Sequence, residues 1–255
     1  MPVLDIIANG KAVVVTINRP ESLNALNKQV FDELHEFFTQ GFKNFPAARG
    51  VVITGSGPKA FAAGADIKEF MSYAPQEAQQ LSKRGHEVFR GIELFHLPVI
   101  AAVNGFALGG GCELALSCHI RVAGTKARFG LPEVNLGLVP GYAGTQRLPQ
   151  LVGRSKALEM IMTTDMVNGE EAHRIGLANH VVPEGEEVAK ALEIIEKIAT
   201  KGPNAIAAAI LCVDSAFDAA KDGAMEEQRL FGTLFDKPES KEGIGAFMEK
   251  RAPQF

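Results

Sequence analysis

The sequence is poor in the features that mark several protein classes. Its three cysteines, Cys112, Cys118 and Cys212, have no C-x-x-C spacing. That fits reduced thiols in a cytosol-like compartment and not a disulfide framework or a zinc site. No apolar run approaches the ~18–20 residues that cross a bilayer. Met1-Pro2-Val3-Leu4-Asp5 has the character of neither a signal nor a transit peptide. The expected setting is therefore cytoplasmic, or that of a processed matrix protein. Long basic runs are missing and the formal net charge is −4, which argues against a dedicated nucleic-acid surface. Lys83-Arg84 and the Arg121, Lys126, Arg128 group read as solvated faces. There is no G-x-S-x-G elbow, no Walker A loop, no H-E-x-x-H and no G-x-G-x-x-G. His35, His86, His96, His119, His173 and His180 lack metal-ligand spacing, so no metal is expected.

What is present is ordinary globular composition, 46% hydrophobic and 22% charged over 255 residues, enough for one large domain with an appendage. β-Branched runs predict strands at 13–17, 50–54, 98–103 and 119–123. A stripe of Val30, Phe31, Leu34, Phe37 and Phe38 predicts a helix over 27–42 that Asn27 can cap. Residues 59–66 read as a small-residue loop, with a helix from Ile67 and a longer one over 76–95. The glycines at 109–111 open a short helix ending near Cys118. Beyond Ala143 the pattern is helical (143–150, 153–163, 169–175, 186–200, 203–220, 221–235, 239–249), interrupted by one strand, His180-Val181-Val182. The strand–turn–helix rhythm suggests stacked α/β units without a visible sequence repeat. A boundary near Gly202-Pro203 divides a core, 1–202, from a helical segment, 203–255. That segment is too short to bury its own apolar stripes and is expected to pack on the core or on another subunit.

The most informative residues are two glutamates twenty positions apart, Glu113 and Glu133, both set among apolar residues and glycines. An unpaired charge is expensive to bury. Two carboxyls in different environments can split into a general acid and a base near neutrality. Gly109-Gly110-Gly111 presents free N–H groups at a helix start, which suits an oxyanion. The same glycines could equally serve close strand–helix packing. Glu113 could be an ordinary solvent-facing glutamate of a first helical turn, although Leu114, Ala115, Leu116 and Cys118 leave that helix little polar face. Glu133, in the loop after Pro132, could be a capping or salt-bridging residue. Cys112 reads as a small buried hydrophobe and not as a nucleophile.

Four ordered segments, 60–69, 99–113, 129–137 and 140–148, together with Asn18-Arg19-Pro20, Asn24-Ala25-Leu26 and Phe247-Met248-Glu249-Lys250-Arg251, resemble the crotonase superfamily, most closely the enoyl-CoA hydratases. The resemblance implies an α/β fold: a spiral of ββα units with a C-terminal helical trimerisation region, usually assembled as a homo-hexamer of two trimers. It implies a thioester oxyanion hole from the N–H groups of Ala65 and Gly110, with Glu113 and Glu133 as the catalytic pair. Keeping both glutamates is the hydratase pattern: syn addition of water to a trans-2-enoyl-CoA. An enoyl-CoA isomerase needing one glutamate, or an RNA-binding or scaffold protein on the same fold, are the alternatives. CoA would be the substrate's carrier, with no further cofactor, no nucleic acid and no membrane as partner. Its contacts would come from Ala63, Asp66 and Ile67 for adenine, Lys59 and Lys68 for phosphates, Gly141, and Phe247 and Lys250 of a neighbouring subunit. Three positions depart from the usual pattern: Tyr142 and Ala143, expected to reshape the pocket floor, and His119, often Asp in relatives and expected to be structural.

Overall fold

A computed structural model describes residues 1–66 and 73–255. The expected helix start at Ile67 and the CoA contacts at Ile67 and Lys68 lie outside the described residues. Two sheets organise the chain. The larger has the order β1 (Leu4–Asn9), β2 (Ala12–Ile17), β3 (Gly50–Gly55), β5 (Val99–Val103), β7 (Ile120–Gly124), β10 (His180–Val182). β1 is antiparallel to β2, and every other pair is parallel. The smaller has the order β4 (Ala60–Ala62), β6 (Phe106–Leu108), β8 (Arg128–Gly130), β9 (Val167–Asn168). In the chain, α2 (Pro75–Glu93) follows β4 and α3 (Gly110–Ser117) follows β6. Each ββα turn, β3-β4-α2 and then β5-β6-α3, therefore adds one strand to each sheet, which makes the fold a spiral.

Burial follows from the two-residue period of the strands. Val51, Ile53, Val99, Ala101 and Val103 face the main core, with Phe31, Leu34 and Phe37 of α1 (Lys28–Thr39) and Val88, Phe89 and Ile92 of α2. Val52, Ile100, Ala102 and Val122 face the other way, onto Ala191 and Ile195 of α7 (Glu187–Ala199). A sheet covered on both faces explains why these strands read as continuous apolar runs. Asn27 caps α1 as expected, its Oδ1 accepting from Val30 N–H at 3.0 Å.

Several expectations need correction. The 59–66 segment contains the strand β4, and β1, β6, β8 and β9 had no clear pattern of their own. At two to six residues they are held by pairing to neighbours more than by their own periodicity. Glu133 lies on a single 3-10 turn, Glu133–Leu136. The first C-terminal helix, α8, spans only Pro203–Ser215, because Asp218 and then Asp222 accept backbone N–H groups at 3.0 and 3.1 Å and restart the chain as α9 (Gly223–Leu234). On α8, α9, α10 (Pro238–Met248) and the turn after α8, Val213, Phe217, Met225, Phe231, Phe247 and Met248 stand more than half exposed. Among the described residues no helix is long and apolar enough to cross a membrane.

Candidate active site

The site begins where β4 and β6 end side by side. They pair in parallel, Ala60 opposite Phe106 and Ala62 opposite Ala107, so the segments that leave them emerge together. On the first segment, Leu26 N–H donates to Gly64 C=O at 2.8 Å and Asp66 N–H to Leu26 C=O at 2.9 Å. These bonds bracket Ala65, whose own N–H belongs to neither. On the second, Gly109 N–H is anchored to Gly130 C=O at 2.9 Å, and the α3 ladder starts with Glu113 N–H on Gly109 C=O at 3.0 Å. Gly110 N–H therefore lies ahead of the ladder, at the positive end of the helix. The two segments touch: a Cβ added to Gly109 would sit 3.7 Å from Gly64 Cα.

The glycine run divides its duties. A Cβ on Gly111 would lie 1.9 Å from the Ala62 carbonyl oxygen, so Gly111 is required for packing α3 against β4. A Cβ on Gly110 would meet first the Tyr142 ring, at 3.1 Å, and then Leu26 at 3.5 Å. Gly109 makes room for Glu133, whose Oε1 lies 2.7 Å from where its Cβ would be.

Every residue of α3 is buried, and Glu113 is 1% exposed. That removes the solvent-facing reading of Glu113. Its Oε1 accepts from two backbone donors, Tyr142 N–H at 2.8 Å and Gly144 N–H at 2.7 Å. Both donors reach one oxygen because Ala143 between them is left-handed, at φ 70° and ψ 22°, just before α4 (Gly144–Val152). A residue with a Cβ pays about 1 kcal/mol there. Ala143 thus shapes the backbone, while Tyr142 fills the space. Its ring packs against Phe31 and Phe89, with centroids 5.1 and 5.7 Å away, over Gly85 and Gly110.

Burial pushes the Glu113 carboxyl up to about 7 and the negative charge of Glu133 pushes the same way, against the two N–H bonds and the positive charge of Arg147. Glu133 is also raised by burial. Among the described residues its buried Oε2 has no hydrogen-bond partner, an arrangement that suits a neutral carboxyl poised to give a proton away. The capping and salt-bridging readings of Glu133 have no support among the described residues. Cys112 is fully buried with its thiol raised by burial, as expected of a core residue.

Of the other expected residues, Ala63 and Asp66 lie on the Ala65 segment. Lys59 is exposed just before β4. Ala63 N–H donates to Leu23 C=O at 3.0 Å, Asp66 pairs with Arg19 at 3.2 Å, and Gly141 C=O accepts from Ser82 Oγ at 2.6 Å. Phe247 and Lys250 stand exposed at the end of α10 and just beyond it, and no hydrogen bond or ion pair among the described residues joins them to 59–66. His119 is structural, as expected: Nδ1 accepts from Val99 N–H at 2.9 Å and Nε2 bonds Glu93 C=O at 3.0 Å, so the ring is neutral with its proton on Nε2. Sequence reasoning missed three supports. Asn24 is buried, and its Nδ2 ties the 19–26 loop to Ala60 C=O at 2.7 Å. Glu93 and Arg147, described below, form an ion pair beside the site. Their signal, an arginine three residues after Gly144, gains meaning only once α4 is seen against α2.

A ββα spiral carrying one buried carboxyl, Glu113, and one part-buried carboxyl, Glu133, beside a free helix start defines a class, and the comparisons agree with it. The family model for enoyl-CoA hydratase/isomerase matches residues 8–255, and the chain belongs to that family. It is 45% identical to a crotonyl-CoA hydratase of Syntrophomonas wolfei over 96% of this chain and 94% of that one. It is 44% identical to a short-chain-enoyl-CoA hydratase of Clostridium acetobutylicum over 95% and 93%. Among solved structures, an enoyl-CoA hydratase from Bacillus anthracis superposes with a TM-score of 0.92 at 36% identity, covering 99% of this chain and 98% of that chain.

Proposed function

We propose that the protein is an enoyl-CoA hydratase, adding water reversibly and syn across the double bond of a trans-2-enoyl-CoA to give a 3-hydroxyacyl-CoA. The observation that carries this reading is the pair of carboxyls held in different ways: buried Glu113 by two N–H groups on one oxygen, part-buried Glu133 with one buried, bare oxygen. The thioester oxygen accepts from Ala65 N–H and Gly110 N–H, which draws charge from C3 and stabilises the enolate. Glu113, ionised, takes a proton from water through Oε2 as the oxygen of that water bonds to C3. The π electrons shift toward C2 and the thioester, and neutral Glu133 delivers its proton to C2. Residues 1–202 supply this chemistry. Lys59, Ala63, Asp66, Ile67, Lys68 and Gly141 serve the CoA moiety, with no metal or redox group taking part.

Residues 203–255 form the contact for a homo-hexamer, supported by the exposed apolar side chains of that segment, and Phe247 and Lys250 reach a neighbour's CoA. The setting is cytoplasmic, in keeping with three free thiols, and the place of the reaction is in fatty-acid breakdown or related acyl-CoA metabolism.

Tyr142 supports a short acyl chain. Its N–H holds the base, and its ring lies against Gly110 and Gly85. Assaying trans-2-butenoyl-CoA through hexadecenoyl-CoA should show the highest kcat/KM at the short end. Tyr142→Ala should shift the preference toward longer chains by roughly tenfold, the value of removing one to two methylenes' worth of contact. An unchanged chain-length profile in the variant would remove Tyr142 from specificity. The isomerase alternative makes the opposite demand: a 3-enoyl-CoA would be the better substrate.

A further inference from the structure

We infer that Arg147 is a positioning residue for Glu113: it fixes the turn whose two N–H groups hold that carboxyl, and it is itself fixed by ion pairs running through Glu93 and Arg90 to Asp214 on α8. The inference rests on the reading of Glu113 as the base. Arg147 is 7% exposed on α4. Its Nη1 donates to the Tyr142 carbonyl at 2.8 Å. That carbonyl belongs to the peptide between Tyr142 and Ala143, flanked by the two peptides whose N–H groups reach Glu113 Oε1. The left-handed Ala143 costs energy, and a buried guanidinium gripping the preceding carbonyl holds the turn in that state. The rest of the guanidinium forms a fork on Glu93, Nε to Oε1 at 3.1 Å and Nη2 to Oε2 at 3.2 Å.

Glu93 is in turn fixed from two sides. Arg90 Nη1 donates to its Oε2 at 2.7 Å, and its carbonyl takes the Nε2 proton of His119. Arg90 continues the chain to Asp214, with Nη2 on Oδ2 at 2.7 Å and Nη1 on Oδ1. These groups line a cavity of about 890 Å³ between α2, α4 and α8 that contains neither glutamate of the site. Arg147 is 8% exposed at its side chain, so removing its partner Glu93 leaves a buried charge poorly compensated, whereas Arg90 is 38% exposed and its pair with Asp214 is partly screened by solvent. The chain therefore ties a helix of the C-terminal segment to the turn that holds the base.

The charged and titratable groups that face Glu113 are Glu133 on the turn after β8 and Arg147 on α4, the first raising its affinity for a proton and the second lowering it. Cys112, next to it on α3, stays a neutral thiol. Arg147 thus favours the ionised carboxylate twice, through its charge and through the N–H pair it keeps in place.

The test uses the intact protein. Arg147→Met should move the acidic limb of the kcat profile up by about one pH unit, lowering kcat near pH 6 about tenfold with KM within about twofold. Arg147→Lys, which keeps charge without the fork, should fall between. Glu93→Gln leaves Arg147 in place and should move the limb the same way by a smaller step, which keeps the proposal testable if Arg147→Met does not fold. Asp214→Asn should lower kcat a few-fold. Carbon-13 NMR of the Glu113 carboxyl, assigned by its loss in Glu113→Gln, reads the titration without turnover. A Glu113 titration unchanged in both Arg147→Met and Glu93→Gln would overturn the proposal. A titration that moves while the kcat limb stays put would instead uphold the positioning and sink Glu113 as the base.

Discussion

Glu113→Gln and Glu133→Gln are each expected to lower kcat for hydration by at least ~10², with KM changed little, as loss of a general acid or base commonly does. The amide keeps the shape of each side chain, and in Glu113→Gln its oxygen can still accept from Tyr142 and Gly144. What disappears is the capacity to take or give a proton. The wild-type profile should be bell-shaped. Activity should rise with pH through about 7 as Glu113 ionises and fall at higher pH as Glu133, held up by burial, loses its proton. Glu113→Gln should also change stability, with a sign set by linkage. The Glu113 carboxyl binds its proton more tightly in the folded state, at about 7 against an ordinary 4.5. Between those values the unfolded chain gives up the proton while the folded one keeps it, so a contribution present at low pH is lost as pH rises through 7. The loss is on the order of 3 kcal/mol. The variant should therefore show a flatter stability profile between pH 5 and 8 and be no less stable than wild type at pH 8, a site kept for chemistry at the expense of the fold. Wild-type turnover by either variant would remove that residue from the mechanism.

Gly111→Ala should be the most damaging single change to the fold. A methyl there would lie 1.9 Å from the carbonyl oxygen of Ala62, inside a strand paired to β6, so neither partner can move without breaking the register that sets Ala65 beside Gly110. Overpacking against backbone should cost about 3 kcal/mol or more, read as a drop of ~6–12 °C in Tm or as loss of folded protein. Gly110→Ala is the matched control. Its methyl would meet an aromatic ring at 3.1 Å and should cost about 1 kcal/mol or less in stability. Equal damage at both positions would mean that the run serves packing throughout and would weaken the case for Gly110 N–H as a donor.

The parts of this fold legible in the sequence are those whose own residues carry the signal. β3 and β5 are buried on both faces and read as apolar runs, and α1 announces itself by its stripe and by Asn27; β7 carries Arg121, which reads as part of a solvated face but is buried, its guanidinium donating to the Leu177 and Cys118 carbonyls. The short strands β4, β6 and β8 were not legible, because three residues cannot show a period and their partners are distant in the chain. They nevertheless set the two segments at 64–65 and 109–110 side by side. Glu113 and Glu133 stood out because charge among glycines and apolar residues is costly. The donors that hold Glu113 are backbone N–H groups, which no residue type advertises. They converge only through the left-handed conformation of Ala143, and the Arg147–Glu93 pair joins helices fifty-four positions apart in sequence.

The most direct measurement is incubation of the intact protein with trans-2-butenoyl-CoA in D2O, following both the conjugated double bond and the fate of deuterium. The expected product is 3-hydroxybutanoyl-CoA with a single deuterium at C2, delivered by Glu133 after exchange with solvent, on the same face as the hydroxyl. A product that keeps its double bond in a shifted position, addition from opposite faces, or no turnover at all would contradict the two-carboxyl hydration mechanism.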